Sequence, residues 1–364
     1  MDPGDDKVVP FPRRRTGDVE STADDLAASA LKSGWLTQGQ AARRLQGAAE
    51  AFLGRRVVPV AGGSAGLHLA LLAVDVSDGG EVILPAVSPV AAANLVILAG
   101  GRPIFADIEA PDRPFLEAAD ANRLVGPRTR AVLTVHEAGY PALTDGLRRV
   151  ADDRGITLIE DCRVALGATV EGRSVGSAGA LAVFAFGDGP SSGGLVSTTS
   201  EQLERHLIAL RSTVIATDDE CFSHDCADGM VNGYRIDEAA ASAGVRALTE
   251  LADVVARRRD IAAEITERLT AAGLTVLSAG AGADGAGACP NWRSLIALAP
   301  SRERRDELVA TWRRAGIDIA LPTATFAQPA QLHRRALPNT RAYCDLALRV
   351  AVVPGAVRSL AVRV

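Results

Sequence analysis

Short apolar runs along this chain alternate with longer segments whose apolar residues recur at helical spacing. After a helix over 24–32 and the turn-like Ser33-Gly34-Trp35-Leu36-Thr37, residues 38–52 form a second amphipathic pattern. Residues 57–60 then read as a strand, Gly62-Gly63-Ser64 as a tight turn, and 65–74 as a helix apolar around most of its surface, hence buried. The same grammar repeats. A strand at 81–84 leads to Ser88 as an N-cap, with Pro89 at the first helical position opening 90–99. Strands follow at 103–105 and 131–135, then a helix over about 142–154 closed by Gly155, then a strand over 156–159 that ends in Glu160-Asp161.

Residues 180–186 and 195–198 read as two more strands joined by the Gly/Ser-rich 187–194, and 201–211 as a helix. A long helical stretch, 236–272, forms one helix or two and links a large N-terminal domain to a smaller one. Beyond it come a flexible loop over 279–287, a strand at 294–298, a helix over 302–315 stopped by Gly316, a helix over 340–348 and a strand at 350–353. The expected architecture is α/β: a mostly parallel central sheet in a large domain (21–240), a small α+β domain (241–364) and a disordered tail (1–20). In such sheets ligands lie outside the carboxyl ends of the strands.

Composition narrows the function classes. A hydrophobic fraction of 48%, a charged fraction of 23% and a formal charge of -5 lack the basic excess that nucleic-acid binding brings. No apolar run is long enough to span a bilayer, and the N-terminus lacks a signal-peptide core, so the expected location is the cytoplasm. Five cysteines, an odd and scattered set, point to reduced thiols. Cys221, His224 and Cys226 cluster, but in no standard zinc spacing, and no metal is expected. The only lysines are Lys7 and Lys32; every later cationic side chain apart from histidine is an arginine.

Gly62-Gly63-Ser64, between a strand and a helix, aims backbone N–H groups and a hydroxyl at an anion. Asp161, at the end of a very apolar strand, suits a ligand cleft and a cationic ring nitrogen; the same carboxylate can equally cap a helix or pair with an arginine. His136, Glu137 and Asp188 join Asp161 as candidate acids, bases or positioning groups, although a packed, structural role is the stronger reading for His68 and His136. Gly63, Ser64, Ser88, Ser191, Ser192, Tyr234 and Arg235 are candidates to bind a small-molecule substrate; the arginine suits a phosphate or carboxylate, or equally an internal salt bridge.

In order and spacing, Ser33–Thr37, Gly63-Ser64-Ala65-Gly66-Leu67-His68-Leu69-Ala70-Leu71, Glu81-Val82-Ile83-Leu84-Pro85, Val135-His136, Glu160-Asp161-Cys162 with Gly167-Ala168, and Tyr234-Arg235 resemble the DegT/StrS family of sugar aminotransferases over about residues 30–355. The resemblance implies the pyridoxal-phosphate (PLP) fold type I, a homodimer with sites at the subunit interface, a cofactor phosphate on Gly63-Ser64 and a pyridinium nitrogen on Asp161. It also implies substrates that are nucleotide-linked keto-sugars or cyclitols.

The departures from that resemblance are concentrated in one place. Where the family carries F-S-F-x-x-x-K, this chain reads Phe184-Ala185-Phe186-Gly187-Asp188-Gly189-Pro190, with proline in place of the lysine and alanine in place of a phosphate-binding serine. Pro89 stands for the aromatic ring that stacks on the pyridine, Val164 for a polar residue at the ring oxygen, and Gly233 for an asparagine that reaches across the dimer. Val353 replaces a histidine, and the chain stops at Val364, short of a final helix the resemblance implies. A charged hydrogen bond contributes roughly 1.5–3 kcal/mol, so several such losses weaken cofactor binding by orders of magnitude. Expected, therefore, is an aminotransferase scaffold that binds no cofactor and is not a transaminase, reused for PLP-independent chemistry on a small intermediate of secondary metabolism. A non-catalytic partner of a lysine-bearing paralogue, in a heterodimer, and an enzyme using noncovalent PLP or pyridoxamine phosphate are the alternatives.

Overall fold

A computed structural model describes residues 36–187, 192–211, 233–278, 287–322 and 336–353, with residues 32, 34 and 356. Seven strands form the central sheet, in the order Arg56–Val60, Gly194–Thr198, Leu181–Ala185, Thr157–Cys162, Thr129–Val135, Glu81–Pro85, Arg102–Ala106. The last five run parallel; Gly194–Thr198 is antiparallel to both of its neighbours. This is the mostly parallel α/β sheet expected from the sequence.

Alternate residues of each strand point to opposite faces, and both faces are covered, which is why the strand centres are apolar while charged residues stand at their ends. Val58, Val60, Leu181, Val183 and Val196 pack with Leu67, Leu69, Ala70 and Leu71 of the helix Gly63–Ala73. Val57, Ala182, Phe184 and Leu195 pack on the other face with Leu45 and Ala49 of the helix Gln40–Leu53 and Ala241 of the helix Glu238–Thr249. Each fully buried aliphatic or aromatic side chain contributes about 1.5–3 kcal/mol.

The stretch expected to be one helix or two is two, Glu238–Thr249 and Leu251–Ala271, meeting at Glu250. A four-stranded antiparallel sheet follows, ordered Thr275–Val276, Ser294–Leu298, Ala347–Ala351, Ile319–Ala320. Ala262, Ile265 and Leu269 from one helix, and Leu308, Val309 and Trp312 from the helix Arg302–Arg314, form its core. Val87, Ile108, Phe115 and Tyr140, which follow strands of the central sheet, enter the same core. Among the described residues no helix is long and apolar enough to cross a membrane.

Three local readings need correction. The helix Gly63–Ala73 begins within the expected turn, because Gly62 is extended and Gly63 is already helical. Pro89, not Ser88, holds the cap position of Val90–Leu98, and no side chain caps that helix; Ser88 is buried. The last described helix is Pro338–Leu346, and the strand after it begins at Ala347. Its N-cap Leu337 has no capping side chain, and buried Asp107 supplies the acceptor from a distance. That carboxylate accepts from Thr340 N at 2.8 Å, Thr340 Oγ1 at 2.6 Å and Asn339 N at 3.1 Å. The helix 24–32 lies outside the described residues except at Lys32, as do 1–20, Ser33, Trp35, most of the loop 279–287 and the Cys221, His224, Cys226 cluster.

Removing this remote cap strands two amides and a hydroxyl in a buried position. Asp107→Ala is expected to lower unfolding free energy by about 2–3 kcal/mol, read as a shifted urea midpoint at constant m-value.

Candidate functional site

The strand Thr157–Cys162 ends in Glu160-Asp161-Cys162, and the alternation of its side chains sends Glu160 and Asp161 to opposite faces. Two carboxylates adjacent in sequence therefore belong to two different assemblies.

Glu160 is a structural hub. One oxygen accepts from Ala178 N at 2.9 Å and Gly179 N at 2.6 Å, the other from Gly176 N at 3.0 Å and His136 Nε2 at 3.1 Å. Burial would raise this carboxyl, but the hydrogen bond from His136, with the amides of Gly179 and Gly176, holds it below the usual carboxylate range. The amide of Ala142 donates to His136 Nδ1 at 3.0 Å, so the ring proton is on Nε2 and points at Glu160. Both ring nitrogens are spent on the fold. His136, a candidate acid or base by sequence, is held on the Glu160 face, away from the Asp161 carboxylate. His136, Glu160 and Cys162 place ligand-type atoms within 4.8 Å of one another, but the carboxylate is saturated and burial pushes the thiol up. A metal would have to displace the hydrogen bonds that build the hub.

Asp161 faces the head of the helix Gly63–Ala73. Its partner is Arg163, a residue that the sequence reading did not single out. Arg163 Nε donates to Asp161 Oδ1 at 2.8 Å and Nη2 to Oδ2 at 2.7 Å, a two-pronged charged pair. The Arg163 amide adds a bond to Oδ1 at 3.2 Å, and Nη1 stands 3.5 Å from Ser64 Oγ. Side-chain exposure is 11% for Arg163 and 3% for Asp161. Burial would lower the guanidinium pKa, but the charge and hydrogen bonds of Asp161 outweigh it and the net direction is upward. The arginine stem lies against Gly63, where an added Cβ would meet Ala185 Cβ and Arg163 Cδ, both at 2.9 Å. Gly63 is therefore needed for close approach. Of the roles open to Asp161 (ligand carboxylate, helix cap or arginine partner), the structure shows the arginine pair.

Glu137 follows the Thr129–Val135 strand, in the short turn Glu137–Gly139, and accepts from Arg349 Nη1 at 3.1 Å. Burial raises its carboxyl, Arg349 partly offsets this, and the nearby charge of Asp161 raises it further. Tyr234 OH lies 2.9 Å from His68 Nδ1, and its backbone bridges Arg211 O and Ala61 N. Burial lowers His68, which suits a packed neutral ring. Arg235 is half-buried beside Arg211, which burial first and then this neighbour depress to about 10. Ser192 is half-buried near Gly187, while Asp188, Pro190 and Ser191 lie outside the described residues. The structure thus joins Asp161, Gly63 and Ser64 through Arg163, sets Glu137 nearby, and assigns His136 to the hub.

Residues 18–359 match the DegT/DnrJ/EryC1/StrS aminotransferase family. The chain belongs to that family. It is similar to DesV of S. venezuelae, solved in complex with a ketimine intermediate, at 28% identity over 96% of each chain with a TM-score of 0.80. It is also similar to DesI, solved in the presence of its TDP-sugar product, at 28% identity over 91% of this chain and 85% of that one, TM-score 0.77. TlmJ from Streptoalloteichus hindustanus shares the fold at 24% identity, 93% of each chain and a TM-score of 0.81.

Pyridoxal phosphate does not fit the described residues of this family member. A pyridinium held by Asp161 would have to share a carboxylate whose two oxygens already accept from the Arg163 guanidinium, a like charge. An imine needs a lysine amine, and no lysine follows Lys32, itself exposed. The charged pair that fills the site is legible in sequence only as an arginine two residues beyond Asp161.

The hub makes a signed pH prediction. Glu160 titrates below its unfolded value, so its contribution is complete above the ordinary carboxyl pKa of 4.5 and is lost as pH falls through the depressed folded value. Glu160→Gln is expected to cost about 3 kcal/mol at pH 7. In urea titrations across pH, the gap between variant and wild type should narrow below 4.5.

Proposed function

We propose that this protein is an aminotransferase-fold enzyme that has left transamination and performs PLP-independent chemistry on a small intermediate of secondary metabolism. The observation that carries this reading is the closed Arg163–Asp161 pair beside Ser64, in a chain with no lysine beyond Lys32. A scaffold kept only for assembly has no need of buried, paired carboxylates at these strand ends. This chain keeps two: Asp161 and Glu137 are buried and each is bonded to an arginine.

The roles follow from chemistry. Arg163 orients Asp161 and holds its charge in place, and Ser64, with the first amides of the helix Gly63–Ala73, offers donors to the polar end of a ligand. Glu137, whose carboxyl is raised by burial, holds its proton to higher pH than an exposed carboxyl does, as a general acid needs. Tyr234 and Arg235, with Ser88, Ser191, Ser192 and Asp188, complete the proposed substrate and catalytic set. A nucleotide-linked sugar is the first ligand class to test, because DesI, at 28% identity, was solved with a TDP-sugar product. The proposed assembly is a homodimer, and the proposed location is the cytoplasm.

The purified protein mixed with pyridoxal phosphate should give no imine absorption band and no amino transfer from amino-acid donors. In thermal-shift assays a TDP-sugar should raise the melting temperature, and Ser64→Ala should reduce the rise. A stoichiometric imine, or amino transfer, would sink the proposal; recovery only in complex with a lysine-bearing paralogue, with no ligand response, would replace it with the partner role.

A further inference from the structure

Asp161 is nearly shut off from water, and its cation is supplied by the chain itself. The bonding is unusually complete for a residue at the mouth of a cleft: two guanidinium nitrogens and one amide reach the same carboxylate. The arginine cannot be regarded as a loose surface side chain. Its stem fills the space that a Cβ on Gly63 would take and its head is 3.5 Å from Ser64, so it lies at the head of the helix Gly63–Ala73. A ring cation approaching Asp161 would meet a like charge already held there in a two-pronged pair, and among the described residues the one further side-chain bond of Arg163 is the marginal one to Ser64.

We propose that Arg163 is the residue that excludes pyridine cofactors from this cleft, its guanidinium standing in on Asp161 for the ring cation such a cofactor would bring. The inference rests on the reading that transamination has been abandoned, and adds the physical cause: the vacancy on Asp161 is closed from within. Asp161 is kept because it is half of an internal ion pair. Neither residue can be lost alone, since removal of the arginine leaves a buried carboxylate without a cation, and removal of the carboxylate leaves a buried guanidinium without an anion. Arg163 is a specificity-determining residue and needs no contact with reacting atoms to act.

The test is a charge cycle read by binding of pyridoxamine phosphate, which needs no lysine. Arg163→Met keeps most of the stem and removes the cation; Asp161→Asn/Arg163→Met removes both charges. Binding is measured by calorimetry and by the absorption of the protonated ring, with inorganic phosphate as a control for the phosphate group alone. Arg163→Met should bind pyridoxamine phosphate about tenfold or more tighter than wild type, the expected effect of freeing one charged hydrogen bond. The double variant should return to the wild-type level, and inorganic phosphate should bind all three proteins alike.

Equal binding of pyridoxamine phosphate by wild type and Arg163→Met, whether tight or absent, overturns the inference, as does a double variant that binds as well as the single one. If Arg163→Met is insoluble while the double variant folds, refolding the single variant with pyridoxamine phosphate is the deciding measurement. Recovery of folded protein supports the exclusion role, and no recovery overturns it. These outcomes are separate from the reading beneath them, which fails only if wild type forms an imine with pyridoxal phosphate or transfers an amino group.

Discussion

An ionised carboxylate buried at the carboxyl end of a strand must be paired or fully hydrogen-bonded, and Asp161 meets that constraint with Arg163 of the same chain. Bare burial of an ionised carboxylate costs several kcal/mol, more than any one local packing contact returns. The cation arrives two residues later, just past the end of the strand, and is clamped by the glycine that opens the neighbouring helix. Strand, helix head and cleft floor are thus joined by one side chain, and any ligand that enters meets an ion pair already made.

The opposite face of the same strand carries the complementary solution. Glu160 is satisfied almost wholly by neutral donors, three backbone amides and a histidine N–H, from segments far apart in sequence. Its role is to pin the turn after residue 174 and the end of the Thr129–Val135 strand to the centre of the sheet. A comparable device joins the central sheet to the second core, where Asp107 caps a helix more than two hundred residues away and Glu137 meets Arg349. Each is a carboxylate used as a crosslink, and each places the cleft between surfaces that cannot shift independently without breaking a charged hydrogen bond.

Family membership fixes the fold and leaves the chemistry of the strand ends to a few side chains, for a physical reason. The sheet, its helices and the second core follow from apolar periodicity and close packing, and these tolerate many sequences. Chemistry depends on a few side chains at the strand ends, where a single arginine changes what a carboxylate can bind. The chain keeps the fold of DesV and DesI while its Asp161 carboxylate is paired with an arginine of the same chain.

By itself the sequence determined the strands and helices of the central sheet, because buried parallel strands must be continuously apolar and their helices must repeat at 3.6 residues. It also determined that no lysine amine follows Lys32, and that Asp161 lies near a strand end. Short elements escaped it: the hairpin Ile108–Ala110 with Arg113–Leu116, and the paired Thr169–Val170 and Arg173–Ser174, are too brief to show a period. Only the tertiary structure decided which cation answers Asp161, that His136 belongs to Glu160, and that Glu137 reaches Arg349. Those choices depend on which face each side chain takes and on how closely Gly63 lets a neighbour approach, distances that no spacing along the chain encodes.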